Sequence, residues 1–221
     1  MVALARVGIM NSVSVFCGAS IITKHHLLTA AHCTHGNTAQ LAVIVGRESA
    51  HTKRYLVNQV FNHEGFSMTT VKHDIAVLAV HVGIEFNEHV GPVCLPKKPV
   101  QLDNEWVKVT GWGRMHFEGK RSDVLNKVYL KVVPIKSCAS MYTNIATTNP
   151  TQFCTFRQGK DSCMGDSGGP VVWLDPDTNM YTLVGLVSYG KGCADSVPGV
   201  NTMVHEYLDW VQDKIRSNYY V

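Results

Sequence analysis

No apolar run in this sequence approaches the roughly 18 residues that a membrane-crossing helix needs, so a soluble chain with no membrane partner is expected. Charge of one sign is also scarce. Lys and Arg number 20 against 17 Asp and Glu, for a net charge of +3, and no Lys/Arg run forms a stripe. Nucleic acid is therefore not an expected partner. Cys-x-x-Cys pairs are missing, which excludes a zinc ribbon or a dithiol redox motif. No Asn-x-Ser/Thr site occurs, so glycosylation says nothing of the compartment. Short repeats are absent and 45% of residues are hydrophobic, which excludes disorder, collagen and coiled coil.

What is present is 221 residues, enough for one large domain or two small ones with a sizeable core. Seven cysteines stand singly along the chain and read as an extracellular disulfide framework. Seven is odd, so at least one thiol is free or bonded to another polypeptide. Met1 to Arg6 has neither the basic start nor the apolar stretch of an export signal. The expectation is that something upstream is missing.

Short segments rich in β-branched and aromatic residues dominate: Leu41–Val45, Ile75–Val80, Val128–Val133 and Tyr181–Val187, with Gly, Asn, Asp or Pro between them. They predict an all-β sandwich or barrel. Pro92 to Pro99, with three prolines, reads as a crossover linker. Val204, Leu208, Val211 and Ile215 recur at helical spacing and predict one amphipathic helix at the end. The layout is two β subdomains, 1–95 and 106–200, followed by a helix over 203–217.

Three segments carry chemistry: Leu28-Thr-Ala-Ala-His32-Cys33, His73-Asp74-Ile-Ala-Val-Leu78, and Gly165-Asp166-Ser167-Gly-Gly-Pro170. A serine hydroxyl is a weak nucleophile until an adjacent base takes its proton, and histidine is the usual base near neutrality. A carboxylate on the far ring nitrogen fixes the tautomer and stabilises the imidazolium. Small residues around Ser167 let backbone N–H groups face a developing oxyanion. His25-His26, His32 and His35 invite a metal reading, but no His-Glu-x-x-His accompanies them. Exposed loop histidines account for them better, and no metal or cofactor is expected. The loop after Gly46 offers no clear carboxylate pair for calcium. Gly111-Trp112-Gly113 lacks the third glycine and the helix of a dinucleotide fingerprint.

Together these segments resemble the chymotrypsin-type, trypsin-like serine proteases, whose chain order is also His, Asp, Ser. Phe16-Cys17-Gly18-Ala-Ser20, Gly91-Pro-Val-Cys94-Leu-Pro96, Thr110-Gly-Trp-Gly113 and Pro198-Gly199-Val200 extend the likeness over the whole chain, and its flavour is that of arthropod secreted or venom proteases. The resemblance implies two six-stranded antiparallel Greek-key β-barrels and a C-terminal α-helix. It implies His32 as general base and acid, Asp74 as its orienter and Ser167 as nucleophile, with the amides of Gly165 and Ser167 as oxyanion hole. Asp161 is implied at the base of a pocket for Arg or Lys, with Gly190 and Gly199 keeping it open and Ser188 supporting the aspartate. Asn201 departs from the usual tyrosine near the pocket floor. The implied disulfides are Cys17–Cys33, Cys138–Cys154 and Cys163–Cys193. A further family pair is absent, with Trp173 where one of its cysteines would fall. Cys94 is left unpaired, the position that bonds an upstream module or activation segment in some members.

The resemblance further implies protein or peptide substrates, protein protease inhibitors and a secreted location. It also implies a zymogen switch, in which a freshly cut N-terminal ammonium inserts beside Asp166. No Ile-Val-Gly-Gly-like start exists here, and Arg6-Val7-Gly8 lies too close to Cys17 to serve. The N-terminal strand region is therefore expected to be truncated, and burying the Asp166 carboxylate to cost several kcal/mol unless its loop rearranges. The alternative to an enzyme is a catalytically silent, zymogen-like homologue acting as a binding scaffold.

Overall fold

The computed structural model describes residues 1–46, 52–113, 121–159, 166–191 and 197–218. Among these, twelve strands close into two antiparallel barrels. The first holds β1 (Val2–Val7), β2 (Val13–Ile21), β3 (His26–Thr29), β4 (Gln40–Val45), β5 (Lys53–Asn62) and β6 (Ala76–Val80), in the order β1-β2-β3-β6-β5-β4. The second holds β7 (Trp106–Gly111), β8 (Asn126–Val133), β9 (Gln152–Phe156), β10 (Pro170–Asp175), β11 (Met180–Tyr189) and β12 (Gly199–Met203), in the order β10-β11-β12-β9-β8-β7. Closure removes sheet edges, and the expected Greek-key double barrel is the observed fold.

Strand composition follows from what each face meets. In β7, Val107 and Val109 point into the second core while Trp106 faces water, so the strand alternates. In β6 every residue is buried. Leu78 and Val80 enter the first barrel's core, whereas Val77, with Leu28 and Ile75, enters a second cluster. That cluster is a seam between the barrels, where these three meet Val172, Leu183, Leu186, Val204, Tyr207 and Val211. Fully burying one such aliphatic side chain contributes about 1.5–3 kcal/mol.

The C-terminal stripe also belongs to the seam. Val204 and Val211 are fully buried, and Leu208 and Ile215 pack against the same cluster. The helix is shorter than its periodicity predicts: a 3-10 turn over Val204–Tyr207 leads from β12 into α3 (Leu208–Asn218). Such tight turns are common where helices begin. The proline-rich segment touches both barrels. The Val93 N–H donates to the Ile21 carbonyl at 2.9 Å, and the Leu183 N–H donates to the Cys94 carbonyl at 2.8 Å.

Cys17–Cys33 and Cys138–Cys154 are bonded, and Cys94 is free and half-buried. Cys163 and Cys193 lie outside the described residues, as does the segment 47–51 after Gly46. The expectation of exposed loop histidines is corrected at His26. It lies in β3 with 1% exposure, because Nδ1 meets the Thr23 hydroxyl at 2.8 Å and Nε2 meets Asn218 Oδ1 at 3.2 Å. Those bonds satisfy a ring that would otherwise cost free energy to bury. Among the described residues, no helix is long and apolar enough to cross a membrane.

Candidate active site

Asp74 ends the connection into β6 and is fully buried. Its Oδ1 accepts the backbone N–H of His32 at 2.8 Å. Its Oδ2 meets His32 Nδ1 at 2.8 Å and accepts the Ser188 hydroxyl at 2.5 Å. A carboxylate so placed acts only as acceptor, so it selects the Nδ1–H tautomer of His32 and leaves Nε2 with its lone pair. Both oxygens thus grip one residue, one through its main chain and one through its ring. Thr202 of β12 adds a fourth bond, its hydroxyl donating to the Asp74 carbonyl at 2.9 Å.

His32 sits on the single-turn helix α1 (Ala31–Thr34), directly after β3. Its side chain is 23% exposed, so the ring is anchored on the buried carboxylate and open on its far edge. Nε2 stands 3.7 Å from Cys33 Sγ, beside the Cys17–Cys33 disulfide. Among the described residues no hydrogen bond joins Nε2 to the Ser167 hydroxyl; such bonds are often long without substrate and tighten in the complex.

Ser167 is half-buried in a turn between Asp166 and Gly169. The Gly18 N–H donates to its carbonyl at 2.8 Å, which ties the turn to the first barrel. The Gly168 N–H donates to the Val187 carbonyl at 2.8 Å, which ties it to the second. Gly168 has φ +73°, and a Cβ there would lie 2.2 Å from Thr29 Oγ1. Only glycine meets both demands. The Thr29 hydroxyl itself donates to the Gly18 carbonyl at 2.8 Å, completing the scaffold behind the turn.

Asp166 is 9% exposed, and its Oδ1 accepts the Gly113 N–H at 2.8 Å. Its carboxylate fits where Gly111 has no side chain: a Cβ on Gly111 would fall 1.8 Å from Oδ1. The Gly113 amide offsets part of the burial penalty expected from the sequence.

Ser188 lies on β11 and is buried, Gly190 follows it on the surface, and Gly199 opens β12. Asn201 is buried on β12 and donates through Nδ2 to the Thr155 hydroxyl at 3.1 Å, so its amide is engaged inside the barrel. Asp161 and Gly165 lie outside the described residues. Cys17, His32 and Cys33 form a group whose donor atoms lie within 4.8 Å of one another, but both sulfurs are spent on the disulfide and cannot act as thiolate ligands.

Sequence reasoning missed Thr202, because nothing local marks a threonine whose partner lies 128 residues away. It also missed the packing behind Asp74. His73 has φ +54°, stacks on His63 with ring centroids 4.9 Å apart, and brings Nδ1 to within 3.1 Å of the Tyr207 hydroxyl. Burial, and secondarily His73 itself, holds His63 below the usual histidine range.

A buried carboxylate thus holds one imidazole by both its main chain and its ring, and the Ser167 turn is tied by backbone bonds to both β-barrels. Residues 2–211 match the family model described as Trypsin. The chain is similar to a venom serine protease of Polistes dominula, 37% identical over 218 residues that make up 93% of this chain and 78% of that protein. It is 36% identical over 209 residues to a trypsin of Phaedon cochleariae, covering 90% of this chain and 78% of that one. Venom serine protease 34 of Apis mellifera is 36% identical over 212 residues, and there the match takes in 89% of this chain but only 51% of the relative. The chain belongs to the trypsin family of serine peptidases.

Proposed function

We propose that this chain is the peptidase domain, 1–221, of a secreted endopeptidase that cleaves after Arg or Lys through an acyl-enzyme. The observation that carries the reading is the double grip of the buried Asp74 carboxylate on His32. In the proposed cycle Ser167 Oγ attacks the scissile carbonyl carbon while its proton passes to His32 Nε2. The amides of Gly165 and Ser167 receive the oxyanion, and His32 returns the proton to the leaving amine as the C–N bond breaks. Water then repeats the sequence on the ester and restores Ser167. Asp74 keeps the ring oriented and balances the imidazolium, and Ser188 holds Asp74.

Asp161 is the proposed anchor for the substrate's guanidinium or ammonium, since an apolar side chain would leave a pocket carboxylate unpaired. Gly190 and Gly199 leave room for that side chain. Asp166 is proposed to receive the ammonium of a processed N-terminus beside the Gly113 amide. Secretion is supported by the Cys17–Cys33 and Cys138–Cys154 disulfides, which persist in oxidising compartments. Protein substrates and inhibitors follow from the family. An upstream module or activation segment is proposed to bond Cys94, which borders a groove of about 680 Å³ with Pro96, Lys97, Trp173 and Met180.

A fluorophosphonate probe tests the chemistry: Ser167 of the folded, processed protein should be labelled, and its Ser167→Ala variant should not. Absence of label on folded, processed protein would refute the reading and favour a binding scaffold. Asp161→Ser should abolish cleavage after Arg and Lys while labelling persists; a variant that still cuts after Arg would show the pocket is assigned wrongly.

A further inference from the structure

The outer face of the second barrel carries an array that the catalytic reading does not use. Inward positions of β7 and β8 are apolar: Val107, Val109, Leu130 and Val132 fill the core. Outward positions are Trp106 and Lys108 on β7, and Lys127, Tyr129 and Lys131 on β8. The register sets Trp106 opposite Lys131, Lys108 opposite Tyr129, and Thr110 opposite Lys127. Cations and aromatic rings therefore alternate both along and across the strands. None of these outward positions holds an acid.

Neighbouring strands extend the pattern. Tyr181 of β11 lies under the Lys108 ammonium, which stands 3.3 Å from its ring centroid. Exposed Arg157, just past β9, lies 5.5 Å from the Trp106 ring centroid and donates to the Tyr129 carbonyl at 3.2 Å. Trp106, Tyr129 and Tyr181 keep 52%, 41% and 37% of their surface in water. A hydrogen bond from Lys108, and then one from Tyr129, holds the Tyr181 phenol below its usual range. Acids stand at the margin, among them Glu105, whose carboxylate accepts the Trp173 indole N–H at 3.4 Å, and Asp175 at the end of β10.

Four cations gather here on a chain whose net charge is only +3, so the remainder of the molecule is close to neutral. No two of these cations stand directly opposite one another, and acids in the positions between them would neutralise them. This face interleaves rings, which fix the cations in place without neutralising them. Lys108 is diagonal to both Lys127 and Lys131, about 7–8 Å away, and those two stand about 13 Å apart along β8, which suits a stiff polyanion with strongly acidic groups at intervals.

We infer that the outer face formed by Trp106, Lys108, Tyr129, Lys131, Arg157 and Tyr181 is a docking surface for a sulfated glycan. Single-stranded nucleic acid fits less well, since base stacking needs open ring faces and those of Tyr181 and Trp106 are turned to cations. An anionic bilayer fits less well too, because no apolar helix face accompanies these charges to enter the acyl boundary.

The test titrates the full chain with a heparin oligosaccharide and, in parallel, with an unsulfated dextran, an oligothymidylate and phosphatidylserine vesicles. Binding to heparin alone is expected, and about three released counterions should weaken it on the order of 10²- to 10³-fold for a tenfold rise in salt. The K108Q/K131Q/R157Q variant should bind at least about tenfold more weakly, while K108R/K131R retains parental affinity. If the triple variant unfolds, K131Q/R157Q confines the change to exposed positions and should still weaken binding several-fold. No binding to heparin, equal affinity of the parent and the glutamine variants, or tighter binding to oligothymidylate or vesicles would each overturn the inference.

Discussion

Replacing Ser188 by Ala isolates one of the three donors on the Asp74 carboxylate. Ser188 is 4% exposed, and its hydroxyl donates at 2.5 Å to an oxygen that water does not reach. Hydrogen bonds to a charged partner contribute about 1.5–3 kcal/mol, roughly twice a neutral one. Both His32 donors remain in the variant, so Asp74 is weakened rather than abandoned, and the loss should fall within that range. For a chain of this size that corresponds to a melting temperature lower by roughly 3–12 °C. The assay is urea unfolding followed by tryptophan fluorescence at neutral pH with disulfides intact. Thr202→Val is the control, since Thr202 donates to the neutral Asp74 carbonyl and should cost only about 0.5–1.5 kcal/mol. A double-mutant cycle with Asp74→Asn should then show Ser188 losing about half of its contribution once the acceptor is uncharged. A Ser188→Ala cost no larger than that of Thr202→Val would refute the claim that this hydroxyl supports a buried charge.

Gly168→Ala should destabilise the chain by more than about 3 kcal/mol in the same assay, because left-handed backbone and overlap with Thr29 add together; a variant of parental stability would show that the turn repacks freely. Acidification should act through His26, which burial holds below the usual range of 6.5. A folded-state value below the unfolded one means that its contribution is present above about pH 6.5 and lost as pH falls through the folded value. Melting temperatures measured from pH 8 to pH 5 should therefore fall less for His26→Gln than for the parent, and equal losses would remove His26 as a cause.

Much of this molecule was legible because its signals are local. Leu41–Val45 and Val128–Val133 are strands since their β-branched residues suit a pleated surface, and the spacing of Val204, Leu208, Val211 and Ile215 marks one buried face wherever the helix begins. His32, Asp74 and Ser167 were candidates because each lies in a short segment with its own chemistry. What could not be read depends on pairing between distant strands. Val77 faces the inter-barrel seam and Leu78 the first core, yet both look the same in an apolar run. Thr202 and the bonds that bury His26 are invisible for the same reason. No Lys/Arg run marks the basic face of β7 and β8, because alternation spaces the cations along each strand and register assembles them across strands.

The two barrels stitch the site together reciprocally. Asp74 comes from the first barrel and is held by Ser188 and Thr202 of the second. Ser167 comes from the second and has its carbonyl held by Gly18 of the first. Neither barrel alone can fix the relation between imidazole and hydroxyl, so docking of the barrels and geometry of the site are one equilibrium. The docking force is the apolar seam of Leu28, Ile75, Val77, Leu183, Leu186 and Val211, backed by the crossover bonds of Val93 and Cys94 to opposite barrels. An angstrom of slippage in that seam moves Asp74 against Ser188 by the same distance, and a 2.5 Å hydrogen bond does not survive it. In the proposed cycle, residues with no contact to the reacting atoms would thereby govern them, because positioning on this scale decides whether a proton can pass from Ser167 to His32.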